Sequence, residues 1–488
     1  MYAGETFDQE WRQLVFPTDY QNPTPDPAGY NLVVIGAGPA GLIVSIAAAG
    51  LGAKVALIER HAMGGDCLNV GCVPSKALIE MASRKHAGGS VNFDDAMAWV
   101  RQVRAGIAHH DSVSRYTENG VDVFLGDAQF VNERQVRVGE TTLSAAKFVI
   151  ATGARAALPP IPGLDSAEPL TNESVFDLKQ QPTTLGVIGA GPIGCELAQS
   201  FARLGTDVHL FEMADRPVPL EAPEAGQLLE SQLLQDGVNL HLSTAAKGIE
   251  RHGDKKVIRT DDGDIEVDQV LVALGRKPNI ESLNLAAAGV DIDPRKGVIV
   301  DAQLRTSNRN IFAAGDVCSK YQFTNNADHQ ARIVIRNALF FGRGQARTDL
   351  IARCTYTHPE IAHVGVEEQE LKDSGAAFDT YEVEWEAMDR ARTEGDTKGL
   401  IRVLTEKGKD KILSATLVGP DAGEQIATLA VLVANGEGLG KLNNAVLAYP
   451  TRSEYLRRLA DAYNRTRFTP LVARIFRLLL RWQRKPLK

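Results

Sequence analysis

The sequence predicts an α/β protein in which one parallel-sheet unit occurs twice and is followed by a third, separate α/β domain. Two glycine-rich segments, IGAGPAG at 35–41 and IGAGPIG at 188–194, form an internal repeat. Each follows a short apolar strand and precedes a helical pattern. Near residue 348 the pattern changes to alternating strands around an apolar helix, which predicts the third domain.

The elements of these units can be predicted in chain order. Residues 1–28 contain four prolines and few periodic apolar positions, so they are predicted to be an irregular arm. A helix follows each glycine motif, the second one running through residue 204, and a further helix is predicted at 424–434. The predicted strands are 31–35, 54–58, 147–152, 185–188, 207–211, 269–274, 310–314, 399–404 and 412–418.

Composition excludes several classes of protein. The net charge of −8 gives no reason to expect nucleic-acid binding. The N-terminus has no apolar run of a secretory signal, and no apolar stretch approaches the about 20 residues that span a bilayer. Five cysteines in 488 residues do not make a secreted disulfide framework. A cytoplasmic location is therefore predicted.

Strand, glycine motif and helix together are typical of a Rossmann-like dinucleotide-binding unit. The first glycine makes a tight turn, the second lets the backbone approach a pyrophosphate, and the third lets the helix pack on the strand. A carboxylate at the end of the next strand can accept hydrogen bonds from ribose hydroxyls. The residues that match these roles are Gly36, Gly38, Gly41 and Glu59 in the first unit and Gly189, Gly191, Gly194 and Glu212 in the second.

Two cysteines in the segment GGDCLNVGCVPSK, at 64–76, are predicted to be redox-active. In a regular helix the Cα atoms of Cys67 and Cys72 would be roughly 8–9 Å apart, whereas a disulfide needs less than about 7 Å. A bridge therefore requires an irregular turn, which Asn69 and Gly71 could supply. Lys76 follows Cys72 by one helical turn, where its charge favours a thiolate. Two unpaired structural cysteines, or half of a metal site, are the alternatives, but no second pair completes a metal cage.

The segment GGDCLNVGCVPSK resembles the active-site signature of the class I pyridine nucleotide–disulfide oxidoreductases, which include dihydrolipoamide dehydrogenase, glutathione reductase and mercuric reductase. The resemblance covers roughly residues 30–465. TSNRNIFAAGDV, at 306–317, is similar to the second FAD segment of this family, whose aspartate binds the ribityl chain. The segments at 151–153 and 275–279 resemble its domain-crossing turns. Further residues thereby implied in cofactor binding are Thr152, Gly153, Gly275, Arg276, Gly315 and Asp316.

The resemblance also implies a mechanism. The nicotinamide cofactor passes hydride to FAD, and the flavin reduces a disulfide between Cys67 and Cys72. Cys72 is implied to be the thiolate next to the flavin, and Cys67 the thiol that attacks the electron acceptor. Glu196 is implied to pair with Lys76 beside the flavin. The implied assembly is a homodimer.

One departure from the family pattern limits which electron acceptors the chain is predicted to use. Disulfide-reducing members have a His-Pro-Thr-x-x-Glu stretch, supplied by the partner subunit, and here that stretch begins with Tyr449 and ends with Glu454. Tyrosine is a poor proton shuttle at neutral pH. A tyrosine here resembles the mercuric reductases, although no cysteine follows Cys354 to form their C-terminal pair. The prediction is a soft metal ion or an unusual disulfide as acceptor. The alternatives are a dihydrolipoamide dehydrogenase and a low-turnover, membrane-recruited redox sensor.

The nicotinamide cofactor is predicted to be NADH rather than NADPH. The carboxylate of Glu212 suits two ribose hydroxyls, whereas it would repel the 2′-phosphate of NADPH. Arg216 is the nearest following arginine. The run from 212 to 216 is similar to NADH-using dihydrolipoamide dehydrogenases, so this arginine does not argue for NADPH.

The tail from residue 465 to 488 has eight basic residues, no acidic ones and a stripe of apolar positions. It is interpreted either as a helix that lies on an anionic membrane or as a helix packed on its own dimer. The predicted organisation is an arm at 1–28, an FAD-binding domain at 29–158 and 288–347, an NAD(P)-binding domain at 159–287, a dimerisation domain at 348–464, and this tail.

Overall fold

The protein is described by a computed structural model that covers residues 4–484. The ends of the predicted arm and tail, residues 1–3 and 485–488, lie outside the described residues. The helices are α1 (Glu5–Val15), α2 (Pro39–Gly50), α3 (Gly65–Asn69), α4 (Cys72–His86), α5 (Phe93–Ala108), α6 (Val113–Glu118), α7 (Pro192–Leu204), α8 (Pro223–Gln235), α9 (Thr324–Leu339), α10 (Glu368–Asp373), α11 (Asp389–Glu394), α12 (Ala422–Ala434), α13 (Glu454–Arg467) and α14 (Pro470–Gln483).

The strands are short except for one of ten residues in the first sheet. They are β1 (Tyr30–Ile35), β2 (Val55–Glu59), β3 (Val121–Leu125), β4 (Ala128–Asn132), β5 (Gln135–Val138), β6 (Thr141–Ile150), β7 (Ala154–Ala156), β8 (Thr184–Ile188), β9 (Asp207–Phe211), β10 (Asn239–His241), β11 (Gly248–His252), β12 (Lys255–Thr260), β13 (Gly263–Val267), β14 (Gln269–Val272), β15 (Arg276–Pro278), β16 (Ile292–Asp293), β17 (Gly297–Val298), β18 (Ile311–Ala313), β19 (Arg353–Thr355), β20 (Glu360–Gly365), β21 (Phe378–Glu384), β22 (Leu400–Glu406) and β23 (Ile412–Gly419).

The chain divides into two compact units. The first comprises residues up to 219 together with 233–347, and the second comprises 220–232 together with the chain from 348 onward. The first unit contains both glycine motifs and the cysteine pair. The boundaries drawn from sequence between an FAD-binding and an NAD(P)-binding domain remain a prediction.

The first sheet of the larger unit carries the first glycine motif at the end of β1. Its order is β3-β2-β1-β6-β5-β4, and β18 pairs with β6. β1 runs parallel to β2 and β6, while β4 and β5 are antiparallel additions. Alternate residues of β1 are buried on opposite faces, so the near-continuous apolar run of this strand reflects a sheet covered on both sides.

The second glycine motif lies at the end of β8 in a smaller sheet of the same unit. The order is β10-β9-β8-β14, and all pairs are parallel. A three-stranded antiparallel sheet, β11-β12-β13, packs its apolar residues against one face. In both sheets the glycine-bearing strand lies between the strand that follows its helix and a later parallel strand. The predicted α/β class with a repeated Rossmann-like unit is therefore confirmed.

The second unit is built on a five-stranded antiparallel sheet of order β19-β20-β23-β22-β21. Its apolar core includes the fully buried ring of Trp385 and side chains from α12 and α13. This is the third α/β domain that the change of pattern near residue 348 predicts.

The prediction of an irregular N-terminal arm is wrong for residues 5–15, which form helix α1. All four prolines of the arm follow Val15, so they do not interrupt this helix. Trp11, Leu14 and Val15 recur at spacings typical of one helical face and pack on the core of the larger unit. Among residues 4–484, no helix is long and apolar enough to cross a membrane.

Candidate active site

The first glycine motif forms a tight cradle between β1 and α2. Gly36 has a left-handed φ of +102°, and an added Cβ would lie 2.3 Å from the carbonyl oxygen of Ala151. A Cβ on Gly41 would lie 1.8 Å from the carbonyl oxygen of Gly36, so the helix can approach the strand only with glycine there. At Gly38 the nearest atom would be 3.9 Å away, which leaves room beside the backbone. This is the arrangement that a bound pyrophosphate needs.

Glu59, the last residue of β2, closes the same motif. Its carboxylate accepts hydrogen bonds from the backbone N–H groups of Ala37 and His61, each at 2.7 Å. Burial raises the pKa of this carboxyl above its usual value, and the two N–H donors oppose that shift. Glu59 is thus fixed at the end of the strand, where the sequence predicts a carboxylate that binds the ribose hydroxyls of the nucleotide.

The second motif repeats these contacts. Glu212 accepts hydrogen bonds from the N–H groups of Ala190 and Ala214, both at 2.9 Å. A Cβ on Gly194 would lie 1.9 Å from the carbonyl oxygen of Gly189. A Cβ on Gly191 would meet no atom within 4 Å. The two copies therefore share both their backbone geometry and the hydrogen bonds of the terminal carboxylate.

The two cysteines lie on either side of a break between helices α3 and α4. The break falls at Val70 and Gly71, where the backbone leaves the helical region. A Cβ on Gly71 would lie 2.8 Å from the carbonyl oxygen of Asp66, so the tight turn requires glycine. The predicted irregular turn is present and includes Gly71 as predicted, but Asn69 belongs to helix α3, so Val70 rather than Asn69 completes the turn. In this structure both Cys67 and Cys72 are free thiols.

The two thiols are electrostatically unequal. The hydrogen bond from Cys67 is the main cause that lowers the pKa of Cys72 to about 6. The hydroxyl of Thr324, 3.4 Å from the Cys72 sulfur, and the charge of Lys76 lower it further. The same coupling, together with burial, raises the pKa of Cys67. Cys72 is therefore the thiol that ionises first, and Cys67 keeps its proton.

Lys76 and Glu196 join helices α4 and α7. The ammonium nitrogen lies 2.8 Å from Oε2 of Glu196, whose side chain is only 6 % exposed. Lys76 comes four residues after Cys72 on the same helix, and Glu196 comes two residues after Gly194. The geometry thus brings together two residues that the resemblance pairs.

Arg276 lies among the remaining residues of the predicted FAD site. It contacts the carboxylate of Asp66, and its Nε lies 3.5 Å from Asp316. That Nε atom is buried and makes no hydrogen bond within the described part of the chain. Burial raises the pKa of Asp316 to about 6, and Arg276 opposes this shift. The site therefore holds a buried cation with unused hydrogen-bonding capacity.

The two predicted domain-crossing turns are held together. The hydroxyl of Thr152 donates to the carbonyl oxygen of Asn279 at 2.7 Å, and the N–H of Asn279 donates to Gly153 at 3.0 Å. β7 and β15 continue this contact as an antiparallel pair. Gly275, which immediately precedes β15, has a left-handed φ of +100°.

These residues fit FAD. The cradle at Gly38 and the helix N-terminus of α2 suit its pyrophosphate, and Arg276, whose Nε has no hydrogen-bond partner among the described residues, would add a positive charge to the site. Gly315 donates its N–H to the side-chain oxygen of Gln330 at 2.7 Å, which fixes the backbone beside Asp316, the residue predicted to bind the ribityl chain. Bound here, FAD would supply the group that takes hydride from the nicotinamide and gives electrons to a disulfide.

Tyr449 and Glu454 lie in the second unit, around Asp389. The Tyr449 hydroxyl donates to the Asp389 carboxylate at 2.7 Å, and Glu454 accepts from the backbone N–H of Asp389 at 3.3 Å. The hydrogen bond to Asp389 raises the pKa of Tyr449, a residue that is 71 % exposed. Glu454 also accepts hydrogen bonds from Arg458. The structure thus does not pair tyrosine with glutamate directly.

Sequence reasoning missed Thr324, Asp66 and Asp389. Thr324 is 252 residues from Cys72, and no local pattern marks it. Asp66 could have been recognised from the sequence, because it lies within the cysteine segment, directly before Cys67. Asp389 has none before the fold is known.

Comparison with known proteins agrees with this geometry. Residues 30–331 match the family model of the pyridine nucleotide–disulphide oxidoreductases, and residues 351–460 match that of its dimerisation domain. A mercuric reductase of Bacillus cereus is 33 % identical over 444 residues, which cover 88 % of this chain and 70 % of that protein. A dihydrolipoyl dehydrogenase of Bacillus subtilis is 31 % identical over 447 residues, 87 % of this chain and 97 % of the other.

A similar solved structure is the Cu(II) complex of the HOCl-induced flavoprotein disulfide reductase RclA from Escherichia coli. Its TM-score is 0.80 at 29 % identity, and the match covers 89 % of this chain and 99 % of that chain. The dimerisation domain supports a homodimer. The chain belongs to the pyridine nucleotide–disulfide oxidoreductases and is a flavoprotein enzyme that uses FAD and a nicotinamide nucleotide.

Proposed function

We propose that this chain is an NADH-dependent flavoprotein reductase that passes electrons through Cys67 and Cys72 to a soft metal ion. The relatives named mercuric reductase and the Cu(II) complex of a similar reductase support an acceptor of this class. Thiolates are the ligands that soft metal ions prefer. The observation that carries the proposal is the environment of Tyr449.

The two cysteines have different roles in this proposal. Cys72, whose pKa is lowered to about 6, is the thiolate beside the flavin. Cys67 keeps its proton until it reacts and is the thiol that meets the acceptor. Lys76 stabilises the Cys72 thiolate through its charge, and Glu196 orients the lysine. Removal of Lys76 or Glu196 should therefore change thiolate chemistry more than flavin binding.

Tyr449 argues against an ordinary disulfide acceptor. Reducing a disulfide releases a thiolate that needs a proton, and a histidine near neutral pKa supplies it efficiently. Tyr449 has its pKa raised by the hydrogen bond to Asp389, so it gives up its proton even less readily than free tyrosine. A metal ion has no such requirement, because its reduction creates no leaving thiolate.

The electron balance is simple. One NADH supplies two electrons and releases one proton as NAD⁺ forms. Those two electrons and that proton convert the disulfide to the Cys67 thiol and the Cys72 thiolate. When the acceptor takes the two electrons, the disulfide forms again and the proton is released. One NADH thus converts one Hg(II) to the metal or two Cu(II) to Cu(I).

The proposal is tested by an acceptor panel. The purified dimer is given NADH without oxygen, and its oxidation is followed with Hg(II), Cu(II), lipoamide, glutathione disulfide and a quinone. We expect sustained turnover with a metal ion and little with lipoamide or glutathione disulfide. Faster turnover with lipoamide would make the chain a dihydrolipoamide dehydrogenase. Slow oxidation with every acceptor would indicate a redox sensor instead.

The choice of NADH is supported by the surroundings of Glu212. Its carboxylate is held by two backbone N–H groups and would face the 2′-phosphate of NADPH as a like charge. Arg216 pairs with Asp215 at 3.0 Å and donates to the carbonyl oxygen of Pro219 at 3.1 Å. Because Arg216 already binds groups of its own loop, it is not placed to neutralise a 2′-phosphate. The carboxylate of Glu212 therefore determines the preference for NADH over NADPH.

The location proposed for the enzyme is cytoplasmic and peripheral to the membrane, with helix α14 as the contact. No residue of this helix is buried within the chain. Leu471, Leu478 and Trp482 are each more than half exposed. Arg474, Arg477 and Arg481 share the helix with them. An apolar face bordered by arginines complements an anionic lipid surface.

Vesicle sedimentation separates the two interpretations of α14. We expect the dimer to bind vesicles that contain phosphatidylglycerol, to bind pure phosphatidylcholine weakly, and to lose binding when Leu478→Glu is introduced. Analytical ultracentrifugation of the same variant provides the control. If Leu478→Glu instead dissociates the dimer, or if wild type ignores both vesicles, the helix is not a membrane contact.

A further inference from the structure

Helix α1 lies directly against the turn that carries Cys67. It precedes residue 30, where the match to the family begins. The indole N–H of Trp11 donates to the side-chain oxygen of Asn69 at 2.7 Å. Asn69 ends helix α3, two residues after Cys67. A segment outside the family match thus contacts the redox turn through one defined hydrogen bond.

The contact is anchored by buried charges. Asp8 of α1 forms ion pairs with Arg101 at 3.2 Å and Arg104 at 2.6 Å, and both arginine side chains are only 2 % exposed. The guanidinium of Arg104 also lies 4.3 Å from the centre of the Trp11 ring. Charged hydrogen bonds and a stacked cation hold a definite geometry when water is excluded. Helix α1 is therefore docked in one register on α5.

Asn69 transmits this docking to the turn. Its amide donates to the carbonyl oxygens of Met63 and Gly65, at 3.0 and 2.8 Å, and its backbone oxygen accepts from Arg104 at 3.2 Å. The N–H of Met63 donates to the carbonyl oxygen of Val15 at 3.0 Å. Hydrogen bonds to α1 therefore hold both ends of the short helix α3. Trp11 holds its C-terminal residue, Asn69, and Val15 holds Met63, just before its N-terminus.

We propose that α1 is a positioning element of the redox turn, and that Trp11, acting through Asn69, holds the Cys67 thiol against Cys72. The proposal rests on the roles given above to the two cysteines. Trp11 touches neither sulfur, so it acts by fixing the helix from which Cys67 projects. Loss of its N–H donor should free that helix at its C-terminal end, where the chain turns toward Cys72.

The substitution Trp11→Phe tests this, because it retains an aromatic ring beside Arg104 and removes the N–H donor together with part of the indole ring. Trp99→Phe is the matched control, since Trp99 lies on α5 and stacks with Arg84 at 5.6 Å instead. The NADH-reduced dimer of each variant is treated with iodoacetamide, and modification of Cys67 is timed by mass spectrometry. The long-wavelength absorbance of a thiolate beside the flavin is recorded in parallel, well below the melting temperature of either variant.

We expect Trp11→Phe to speed alkylation of Cys67 by about threefold to tenfold, the range that one lost hydrogen bond supports. The thiolate absorbance should weaken, while flavin content stays at the wild-type value. Trp99→Phe should match wild type in all three measurements. Wild-type alkylation and absorbance in Trp11→Phe would overturn the positioning role alone. If reduced wild-type enzyme shows no thiolate absorbance, the cysteine roles fail and the inference fails with them.

Discussion

The ammonium group of Lys76 lies 2.8 Å from a carboxylate oxygen of the buried Glu196, which links the cysteine helix to the helix after the second glycine motif. The two charges act oppositely on Cys72, because Lys76 lowers the pKa of this thiol and Glu196 raises it. The pair therefore adjusts the pKa of Cys72, which the hydrogen bond from Cys67 already lowers.

Substitution of either partner should shift the Cys72 pKa in a predictable direction. Lys76→Met removes the stabilising charge, so the pKa rises, whereas Glu196→Gln leaves Lys76 uncompensated, so the pKa falls. The midpoint is measured from thiolate absorbance against pH in the reduced enzyme. Shifts of the same sign in both variants would contradict this account of the pair.

The pH dependence of wild type follows from the same thiol. With a Cys72 pKa of about 6, the thiolate is present above that pH and is lost as pH falls through it. Cys67→Ala removes the main cause of the lowering, so its midpoint should move upward. Cys67→Ser retains a hydrogen-bond donor and should stay closer to wild type. An unchanged midpoint in Cys67→Ala would show that Cys67 does not donate to Cys72.

Tyr449→His should raise activity toward lipoamide or glutathione disulfide. An imidazole can protonate the leaving thiolate, an effect typically worth about 10²–10⁴-fold when the geometry is right. Tyr449→Phe is the control, because it removes the hydroxyl without adding a proton donor. No gain in the histidine variant would mean that pocket shape, rather than the missing acid, excludes these disulfides.

NADH should exceed NADPH in kcat/KM by about tenfold or more, which corresponds to a preference of at least about 1.4 kcal/mol. The physical reason is that the carboxylate of Glu212, which two backbone N–H groups fix, would face the 2′-phosphate of NADPH as a like charge. Steady-state rates with each nucleotide at one fixed acceptor concentration provide the measurement. Glu212→Gln should narrow the preference by weakening the repulsion, and a wild-type preference for NADPH would refute this assignment.

Two glycines of the second motif should respond differently to alanine. Gly191→Ala has room for its Cβ, so stability should change by less than about 0.5 kcal/mol while KM for NADH rises, because the methyl blocks the pyrophosphate. Gly194→Ala would place its Cβ 1.9 Å from a backbone oxygen and should cost about 1–3 kcal/mol of stability. Thermal unfolding and nucleotide titration separate the two effects.

Local patterns predict the parts of this site that lie close together in the chain. The turn between Cys67 and Cys72 follows from a spacing that no regular helix can bridge, and the glycine motifs follow from strand and helix on either side. Helix α1 has a local pattern too, but it is short and is not recognised within the arm. The four prolines of the arm all follow Val15, and treating residues 1–28 as one segment hides the short helical spacing of Trp11, Leu14 and Val15 before them. Long-range contacts such as Thr324 with Cys72 likewise require the fold.

The relay through the cysteine pair is the central claim, and turnover of Cys67→Ser tests it most directly. The variant is purified with its flavin and assayed with NADH and each metal ion under the conditions used for wild type. We predict wild-type flavin content and loss of metal-ion turnover, since electrons can no longer leave through Cys67. Wild-type rates with every acceptor would contradict the account and make the enzyme a simple flavin dehydrogenase.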